Sequence, residues 1–311
     1  MKYIEILQTG SYMPKKKVCN NELEKKLKLE DGYIEKRTGI KQRYYAGEEQ
    51  IEDMAIKSVE NLISKCNNRS ITNDIELIIV ATTSSESLMP GISNEIQKKL
   101  KLKNCICLDI LAGCSGFINA FDIAKLYIES GRVKKALVIG VDKLSKYTDK
   151  EDVGTSIILS DGAGAVLLGC TDIYKEYYCN IETEGENNEI LICKTNQKIK
   201  MNGKEVYKYA VTKTVDNINK LLQKSNEKLD NIKYIIPHQS NMKIMKAISS
   251  RLKVSMDKMY TNIENKGNTF CASIPIALDE MNEKSLLKAG NKIVLLGYGG
   301  GLNTGSIMIE I

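Results

Sequence analysis

Short apolar runs alternate along this chain with longer segments in which apolar residues recur at helical spacing. Four runs, at 77–80, 105–108, 136–139 and 165–168, are bounded by turn residues and predict buried strands. The charged segments at 94–102 and 118–130 predict the helices that connect them. Regular alternation of strand and helix predicts an α/β fold.

The second part of the chain repeats this pattern. Position 77 is about as far from 137 as 235 is from 294, and strand-like runs surround all four positions. We therefore predict two similar α/β halves, 1–172 and 173–311, with the polar segment 187–202 as a connecting loop or cap near their junction. The further predicted helices are 205–224, 241–252 and 273–289, and the further strands are 234–236, 293–296 and 305–309.

Composition excludes several classes of protein. Hydrophobic residues make up 42% and charged residues 27% of the 311, and there is no apolar run of about eighteen residues, so we expect a cytoplasmic protein that does not enter a membrane. The nine cysteines include no Cys-x-x-Cys pair, and one histidine is available as a further metal ligand. These features argue against a disulfide framework and against a metal site. Most of these thiols are expected to be buried and inert. The net charge of +6 is spread along a chain with no Trp and three Phe, so an acidic protein or anionic substrate is a better partner than nucleic acid.

Cys114 stands out among the cysteines because of its position. It follows the strand-like segment 105–110 and precedes residues 115–121, whose apolar spacing is helical. We expect backbone N–H groups at this corner to lower the thiol pKa of ~8.5 by less than one unit. Ala112, Gly113 and Gly116 leave room for a substrate carbonyl. A buried cysteine at a tight turn is the alternative interpretation.

Two polar residues and a glycine run complete the candidate site. His238, the chain's one histidine, follows a buried strand directly after Pro237. Asn268 lies between Gly267 and Thr269, where it is either a helix cap or a hydrogen-bond donor to substrate. A backbone N–H in the glycine run 299–301 could form an oxyanion hole with that of Cys114. Cys, His and Asn together can form one acyl-thioester and stabilise negative charge on a second, which predicts an acyltransferase.

Taken together, these segments resemble the β-ketoacyl-acyl carrier protein synthase III family of the thiolase superfamily. The resemblance covers essentially the whole chain. Several motifs in the family's order and spacing are more specific evidence than any single motif. The matching segments are 9–14, 37–40, 80–84, 112–117, 161–165, 237–241, 267–269 and 299–301.

The resemblance implies a five-layer αβαβα fold built from two similar halves, a homodimer and a two-stage reaction. Cys114 would accept an acyl group from an acyl-coenzyme A, with the N–H groups of Cys114 and Gly300 as oxyanion hole. Malonyl-acyl carrier protein would then bind, and His238 and Asn268 would stabilise the enolate left when carbon dioxide departs. The enolate would attack the acyl-cysteine and give a β-ketoacyl-acyl carrier protein, which initiates fatty acid synthesis. No permanently bound cofactor is implied, since coenzyme A thioester is a substrate.

The resemblance also assigns positions around this centre. In the family, a Trp and an Arg commonly hold the adenine ring, and this chain has Tyr33 and Val153 at those two positions. Because the cation is lost there, delivery of the first acyl group on a carrier other than coenzyme A is an open alternative. The implied coenzyme A contacts are Tyr33, Arg37, Asn241 and Gly203, the implied docking residues for the acidic carrier protein are Lys208 and Lys243, and the implied acyl-pocket residues are Met89 and Tyr298. Each lysine is equally well explained as a solvated surface charge, and Met89 as a core residue.

The residue types bear on five other functions. Elongating synthases use two histidines and thiolases a second cysteine near the C-terminal glycines, and both features are missing here. A specialised relative that transfers acyl groups to another small acceptor in secondary metabolism is the main alternative. A papain-like hydrolase would need the histidine in contact with the thiol. A binding protein without activity would not need this set of reactive residues.

Overall fold

The computed structural model describes residues 2–66, 71 and 73–311. Its first half is organised around a five-stranded sheet with the strand order β1-β7-β6-β4-β5. β4 lies parallel to β5 and β6, whereas β7 is antiparallel to β6 and β1. The strands of the first half are β1 (Tyr3–Tyr12), β2 (Lys16–Cys19), β3 (Gln42–Tyr45), β4 (Leu77–Ala81), β5 (Ile106–Ile110), β6 (Lys135–Asp142) and β7 (Gly162–Thr171). Its helices are α1 (Asn20–Leu27), α2 (Tyr33–Thr38), α3 (Ile51–Ser64), α4 (Ile92–Leu100), α5 (Gly116–Glu129) and α6 (Val153–Ser156).

The second half repeats this topology with a four-stranded sheet of order β11-β12-β13-β8. Its strands are β8 (Tyr177–Thr183), β9 (Leu191–Ile192), β10 (Lys200–Met201), β11 (Ile232–Pro237), β12 (Lys292–Gly299) and β13 (Asn303–Glu310), and its helices are α7 (Gly203–Ser225), α8 (Met242–Leu252), α9 (Ile263–Lys266) and α10 (Ser273–Glu283). In the first half, β5 pairs in parallel with β4. At the corresponding place in the second half there is a single parallel bridge, between Ile235 and Met259. The similar spacings predicted from the sequence correspond to the parallel pairs β4–β6 and β11–β12.

Helices and sheets stack in five layers, as predicted. Helices α3 and α4 cover the outer face of the first sheet, α5 and α10 lie between the two sheets, and α7 and α8 cover the second sheet. Because α5 packs on both sheets, it is apolar around most of its surface and buries Phe117, Ile118 and Phe121. None of the helices in the described residues is long and apolar enough to cross a membrane.

Three predictions about local structure need correction. The predicted helix 273–289 ends at Glu283, because Ser285 takes a left-handed conformation. The segment 187–202, predicted as a connecting loop or cap without strands, contains the short antiparallel hairpin β9–β10. Most thiols are not buried: only Cys114 and Cys271 are, among the nine.

Chain segments that leave several strands meet between the two halves. Cys114 follows β5, His238 follows β11, and Gly300 follows β12. The predicted boundary between residues 172 and 173 falls in the turn that joins β7 to β8. Loops after the carboxyl ends of strands are the usual place for a ligand site in an α/β protein.

Candidate active site

Cys114, His238 and Asn268 line the same cavity, although they are far apart in sequence. This large cavity has a volume of about 690 Å³, and Tyr298 and Gly299 also line it. A small cavity of about 260 Å³ lies beside it and is lined by Leu111, Leu144 and Tyr147, among others. Cys114 lines both cavities, so its sulfur is placed where two ligand groups could meet.

The thiol lies at a sharp corner between β5 and α5. Residues Gly113–Ser115 form one turn of 3₁₀-helix that leads directly into α5. Gly113 has a φ of +58°, and a side chain there would meet the carbonyl oxygen of Gly300 at 2.5 Å. A Cβ on Gly299 would lie 2.6 Å from the Cβ of Cys114 and 2.8 Å from its sulfur. Glycine at these two positions therefore allows the backbone after β12 to approach the thiol.

The electrostatic surroundings of Cys114 differ from the sequence-based expectation. Burial, followed by the nearby Asp142 carboxylate, raises the pKa of the Cys114 thiol above its ordinary value, whereas the backbone N–H groups of Gly300 and Cys114 lower it. The prediction of a lowered pKa was wrong because loss of solvation outweighs the helix-terminus effect. The same two N–H groups are those predicted to form the oxyanion hole, and both are within hydrogen-bond reach of the Cys114 sulfur.

His238 is held in one tautomer by its neighbour Ser273. The His238 Nδ1 and the Ser273 Oγ are 2.7 Å apart, and the same Oγ accepts a bond of 3.3 Å from the backbone N–H of Gln239. In the described part of the chain, Nδ1 is the one acceptor available to the Ser273 hydroxyl, so the hydroxyl donates to it. The proton of the neutral ring then sits on Nε2, which makes Nε2 a hydrogen-bond donor.

Burial keeps the imidazole neutral. His238 is 1% exposed, and loss of solvation lowers its pKa to about 3. Tyr298 packs edge-on against the ring and donates a hydrogen bond of 3.2 Å to the His238 carbonyl oxygen. A rigid, uncharged N–H donor suits an oxyanion better than it suits a base that must accept a proton.

Asn268 presents the donor end of its amide to the large cavity. Its Oδ1 accepts from the backbone N–H of Phe270 at 3.1 Å, which leaves the Nδ2 group to donate. Its backbone is fixed on both sides, since its N–H donates to the Ile158 carbonyl and its carbonyl accepts from the Ser160 N–H. The side chain belongs to the second half of the chain, but its position is set by the first half.

The other predicted contacts fall into two groups. Tyr33, Arg37, Asn241, Gly203 and Lys243 line the large cavity, together with Val153. Asn241 also caps α8, since its Oδ1 accepts from the Lys243 N–H at 2.8 Å. Lys208 is exposed on α7 outside this cavity.

The two predicted acyl-pocket residues lie apart. Tyr298 lines the large cavity and not the small one. Met89 is 83% exposed and lines neither cavity, so it is not a core residue. Its chain neighbour Leu88 is 98% exposed.

The charged side chains that line the large cavity are all positive. Arg37, Lys204 and Lys243 line it, and no Asp or Glu does so among the residues the structure describes. None of these three cations has a carboxylate partner within salt-bridge distance in that same part of the chain. The cavity therefore favours a ligand that carries phosphate or carboxylate.

Several residues that shape the site gave no signal in the sequence. Ser273, Phe270 and Asp142 are examples, because a hydroxyl near a histidine or a carboxylate near a thiol is a tertiary contact. Leu191 and Ile199 from the hairpin segment line both cavities. Within the described residues, no cluster of three or more His, Cys, Asp or Glu side chains is arranged to hold a metal ion.

Comparison with known proteins agrees with this geometry. The family profile described as 3-oxoacyl-[acyl-carrier-protein (ACP)] synthase III matches residues 108–185, and the profile for the C-terminal part of the same family matches residues 222–311. 3-Oxoacyl and β-ketoacyl denote the same group. The beta-ketoacyl-[acyl-carrier-protein] synthase III of Clostridium acetobutylicum is 39% identical, and the match covers 100% of this chain and 99% of that protein.

Solved structures show the same similarity. The crystal structure of 3-oxoacyl-[acyl-carrier-protein] synthase III from Aquifex aeolicus matches with a TM-score of 0.95 and 36% identity, over 99% of this chain and 100% of that one. The priming beta-ketosynthase of the R1128 polyketide biosynthetic pathway matches with a TM-score of 0.91 and 26% identity, over 99% of this chain and 96% of that one.

Proposed function

This chain belongs to the 3-oxoacyl-[acyl-carrier-protein] synthase III family, and from that premise we propose that it joins an acyl-coenzyme A starter to malonyl-acyl carrier protein with loss of carbon dioxide. The product is a β-ketoacyl-acyl carrier protein, and the step initiates fatty acid synthesis. One observation carries the proposal: a thiol and two neutral hydrogen-bond donors, from His238 and Asn268, line a single cavity. A cytoplasmic location is part of the proposal.

In the first half-reaction, Cys114 attacks the carbonyl carbon of the acyl thioester. The S–C bond to Cys114 forms, the bond to the coenzyme A sulfur breaks, and the thiol proton leaves with coenzyme A. Negative charge develops on the carbonyl oxygen, where the N–H groups of Cys114 and Gly300 are proposed to bind it. A thiol with a raised pKa makes this oxyanion stabilisation more important, because little thiolate is present beforehand.

In the second half-reaction, the malonyl thioester oxygen is proposed to accept hydrogen bonds from His238 Nε2 and Asn268 Nδ2. Loss of carbon dioxide places negative charge on that oxygen, and both donors are neutral and fixed before the charge appears. The enolate carbon then attacks the acyl-cysteine and releases the Cys114 sulfur, which regains a proton from solvent. No hydrogen bond joins His238 to Cys114 among the described residues, which disfavours the thiol–imidazole pair of a cysteine hydrolase.

Two measurements on purified protein test the reaction. With acetyl-coenzyme A and malonyl-acyl carrier protein, we expect carbon dioxide and 3-oxobutyryl-acyl carrier protein in equal amounts, and an acetyl mass increment on Cys114. Cys114→Ala should lose the increment and the condensation product while still releasing carbon dioxide from the malonyl thioester. Carbon dioxide release that depends on Cys114, or an acyl group on another residue, would contradict the assignment.

The carrier protein is proposed to dock on the basic surface around Lys208 and Lys243. Both side chains are exposed, and Lys243 also lines the cavity that would receive the phosphopantetheine arm. Lys208→Glu should raise KM for malonyl-acyl carrier protein and leave acetylation by acetyl-coenzyme A unchanged, because Lys208 lies outside that cavity. An effect on acetylation alone would argue against docking at Lys208.

A homodimer is the proposed assembly. β5 is an edge strand of the first sheet, and Ile106 on this strand is 40% exposed. Leu88, Met89 and Leu111 are large apolar side chains that are also exposed, and exposed apolar surface usually contacts a partner. Because Leu111 also lines the small cavity, a partner's residues at this surface would border the site. Leu88→Asp should shift the protein toward monomer in analytical ultracentrifugation, whereas the distant exposed change Ile173→Asp should not.

The altered adenine clamp keeps a specialised acyl donor or acceptor as the second candidate. Tyr33 and Val153 line the large cavity, and Val153 offers no cation to an adenine ring. Acetylation rates with acetyl-coenzyme A, acetyl-pantetheine and acetyl-acyl carrier protein separate the possibilities. Preference for coenzyme A supports the first candidate, and preference for the carrier-bound donor supports the second.

A further inference from the structure

Phe270 holds an aromatic side chain where the backbone favours glycine. Its φ is +45°, it begins the 3₁₀ turn Phe270–Ala272, and its side chain is largely buried. Bulky residues rarely adopt positive φ, and those that do are concentrated at ligand sites, where the fold enforces the conformation. The position of the ring therefore needs an explanation other than local backbone preference.

The turn is fixed by hydrogen bonds at successive residues. The Phe270 N–H donates to Asn268 Oδ1 at 3.1 Å, and the N–H of Cys271 donates to Asp142 Oδ2 at 3.0 Å. The Cys271 carbonyl is pressed against Gly140, where a Cβ would lie 2.1 Å from its oxygen. These contacts set the direction in which the Phe270 side chain leaves the backbone.

The ring lies at the junction of the two cavities. Residues that line both the large and the small cavity are Cys114, Phe270, Leu191 and Ile199. His238 lines the large cavity alone, and its ring meets that of Phe270 edge-on, with 6.5 Å between centroids. Phe270 is thus the largest of the side chains at the junction, and it stands beside the reacting sulfur.

We propose that the Phe270 side chain sets acyl selectivity by restricting the groups carried on Cys114 to short, unbranched chains. This inference rests on the proposed function. The second substrate has to reach His238 and Asn268 through the large cavity, so the acyl chain on Cys114 must occupy the small cavity. A chain that enters there passes the junction, where an aromatic ring leaves less width than a smaller side chain would.

Phe270→Gly and Phe270→Leu test the proposal. Glycine removes the ring and adopts the positive φ without strain, so this variant is expected to fold. Intact-protein mass spectrometry after exposure to equimolar acetyl-, isobutyryl- and hexanoyl-coenzyme A reports which acyl group Cys114 carries. Wild type should carry mainly acetyl. Phe270→Gly should raise the isobutyryl-to-acetyl and hexanoyl-to-acetyl ratios by about 10- to 200-fold, the usual effect of a pocket contact on discrimination, and Phe270→Leu by less.

The matched control is Leu126→Ala, which removes a large apolar side chain that lines neither cavity and is half-exposed. Its acyl ratios should equal those of wild type. Unchanged ratios in Phe270→Gly, or wild type that carries mainly isobutyryl or hexanoyl groups, would overturn the selectivity role. If Phe270→Gly does not fold, Phe270→Leu decides on the same criterion. Absence of any acyl group on wild-type Cys114 would instead contradict the proposed function.

Discussion

Ser273→Ala tests whether the orientation of a single imidazole depends on one hydroxyl. Ser273 is 2% exposed, and its Oγ lies 2.7 Å from His238 Nδ1. Removing the hydroxyl takes away the bond that places the ring proton on Nε2. A neutral hydrogen bond of this kind contributes about 0.5–1.5 kcal/mol, which corresponds to roughly 2- to 13-fold in the ratio of the Nε2–H to the Nδ1–H tautomer.

The rate of carbon dioxide release from malonyl-acyl carrier protein follows the fraction of the Nε2–H tautomer, so its expected loss is at most about 13-fold. Acetylation of Cys114 should change little, because the N–H groups proposed to assist that step belong to Cys114 and Gly300. Stability should fall by about 1–3 kcal/mol, since Nδ1 and the Gln239 N–H lose a partner in a buried place. Urea unfolding gives the stability change, and radiolabelled malonyl substrate gives the decarboxylation rate.

The chain offers a direct readout of the tautomer because it has one histidine. With ¹⁵N-labelled histidine, wild type should show a protonated Nε2 and an unprotonated Nδ1 between pH 5 and 8, given a pKa lowered to about 3. Ser273→Thr keeps the hydroxyl and should preserve the wild-type imidazole spectrum. Ser249→Ala is the matched control, because it removes a buried Oγ that donates to the Val254 carbonyl at 2.7 Å, away from both cavities. An unchanged imidazole spectrum in Ser273→Ala, or equal losses in both half-reactions, would refute the reasoning.

Four further predictions concern the same site. His238→Ala and Asn268→Ala should each slow malonyl decarboxylation by about 10²- to 10³-fold, while acetylation of Cys114 remains within a few-fold of wild type; equal loss of both steps would contradict the division of roles. Alkylation of Cys114 by iodoacetamide should still be accelerating with pH above pH 9, because burial raises the pKa of the thiol, and a plateau below pH 8 would disprove this. The buried imidazole has a pKa of about 3 against an ordinary value of 6.5, so its contribution to stability is present above pH 6.5 and is lost as the pH falls toward 3. The free energy of unfolding of His238→Gln, measured with urea, should therefore fall less steeply below pH 6.5 than that of wild type, by up to about 1.4 kcal/mol per pH unit. Gly299→Ala should abolish acetylation and cost about 1–3 kcal/mol, because its Cβ would lie 2.6 Å from that of Cys114, whereas Gly185→Ala, with open space around it, should change neither acetylation nor unfolding.

The sequence was sufficient to predict which side chains would share the large cavity because strong local signals mark them. An apolar strand run, small residues and a helical period surround Cys114, and a buried strand precedes His238. Each signal lies within a few residues of the side chain that it predicts. The fold class followed from the same kind of signal, repeated along the chain.

Other features depend on contacts that sequence spacing does not contain. The thiol pKa was predicted in the wrong direction because desolvation and the Asp142 carboxylate arise from distant segments. The hairpin β9–β10 has strands of two residues each, held in part by the bond from the Ile199 N–H to the Tyr147 carbonyl. Met89 has an apolar side chain of a type that is usually buried, and no local sequence signal indicates that it is 83% exposed in the folded chain.

The hydrogen bonds between Asn268 and the strand-like segment at 158–160 have a consequence for biosynthesis. A ribosome delivers the thiol at position 114 long before the imidazole and the amide, and the glycines after β12 come almost last. The nascent first half therefore has a cysteine but no partner groups that could turn it into a nucleophile with a working oxyanion hole. We therefore expect the proposed acylation of Cys114 to begin once the second half has docked and Asn268 is bonded to the first, in the completed chain and not in its emerging portion.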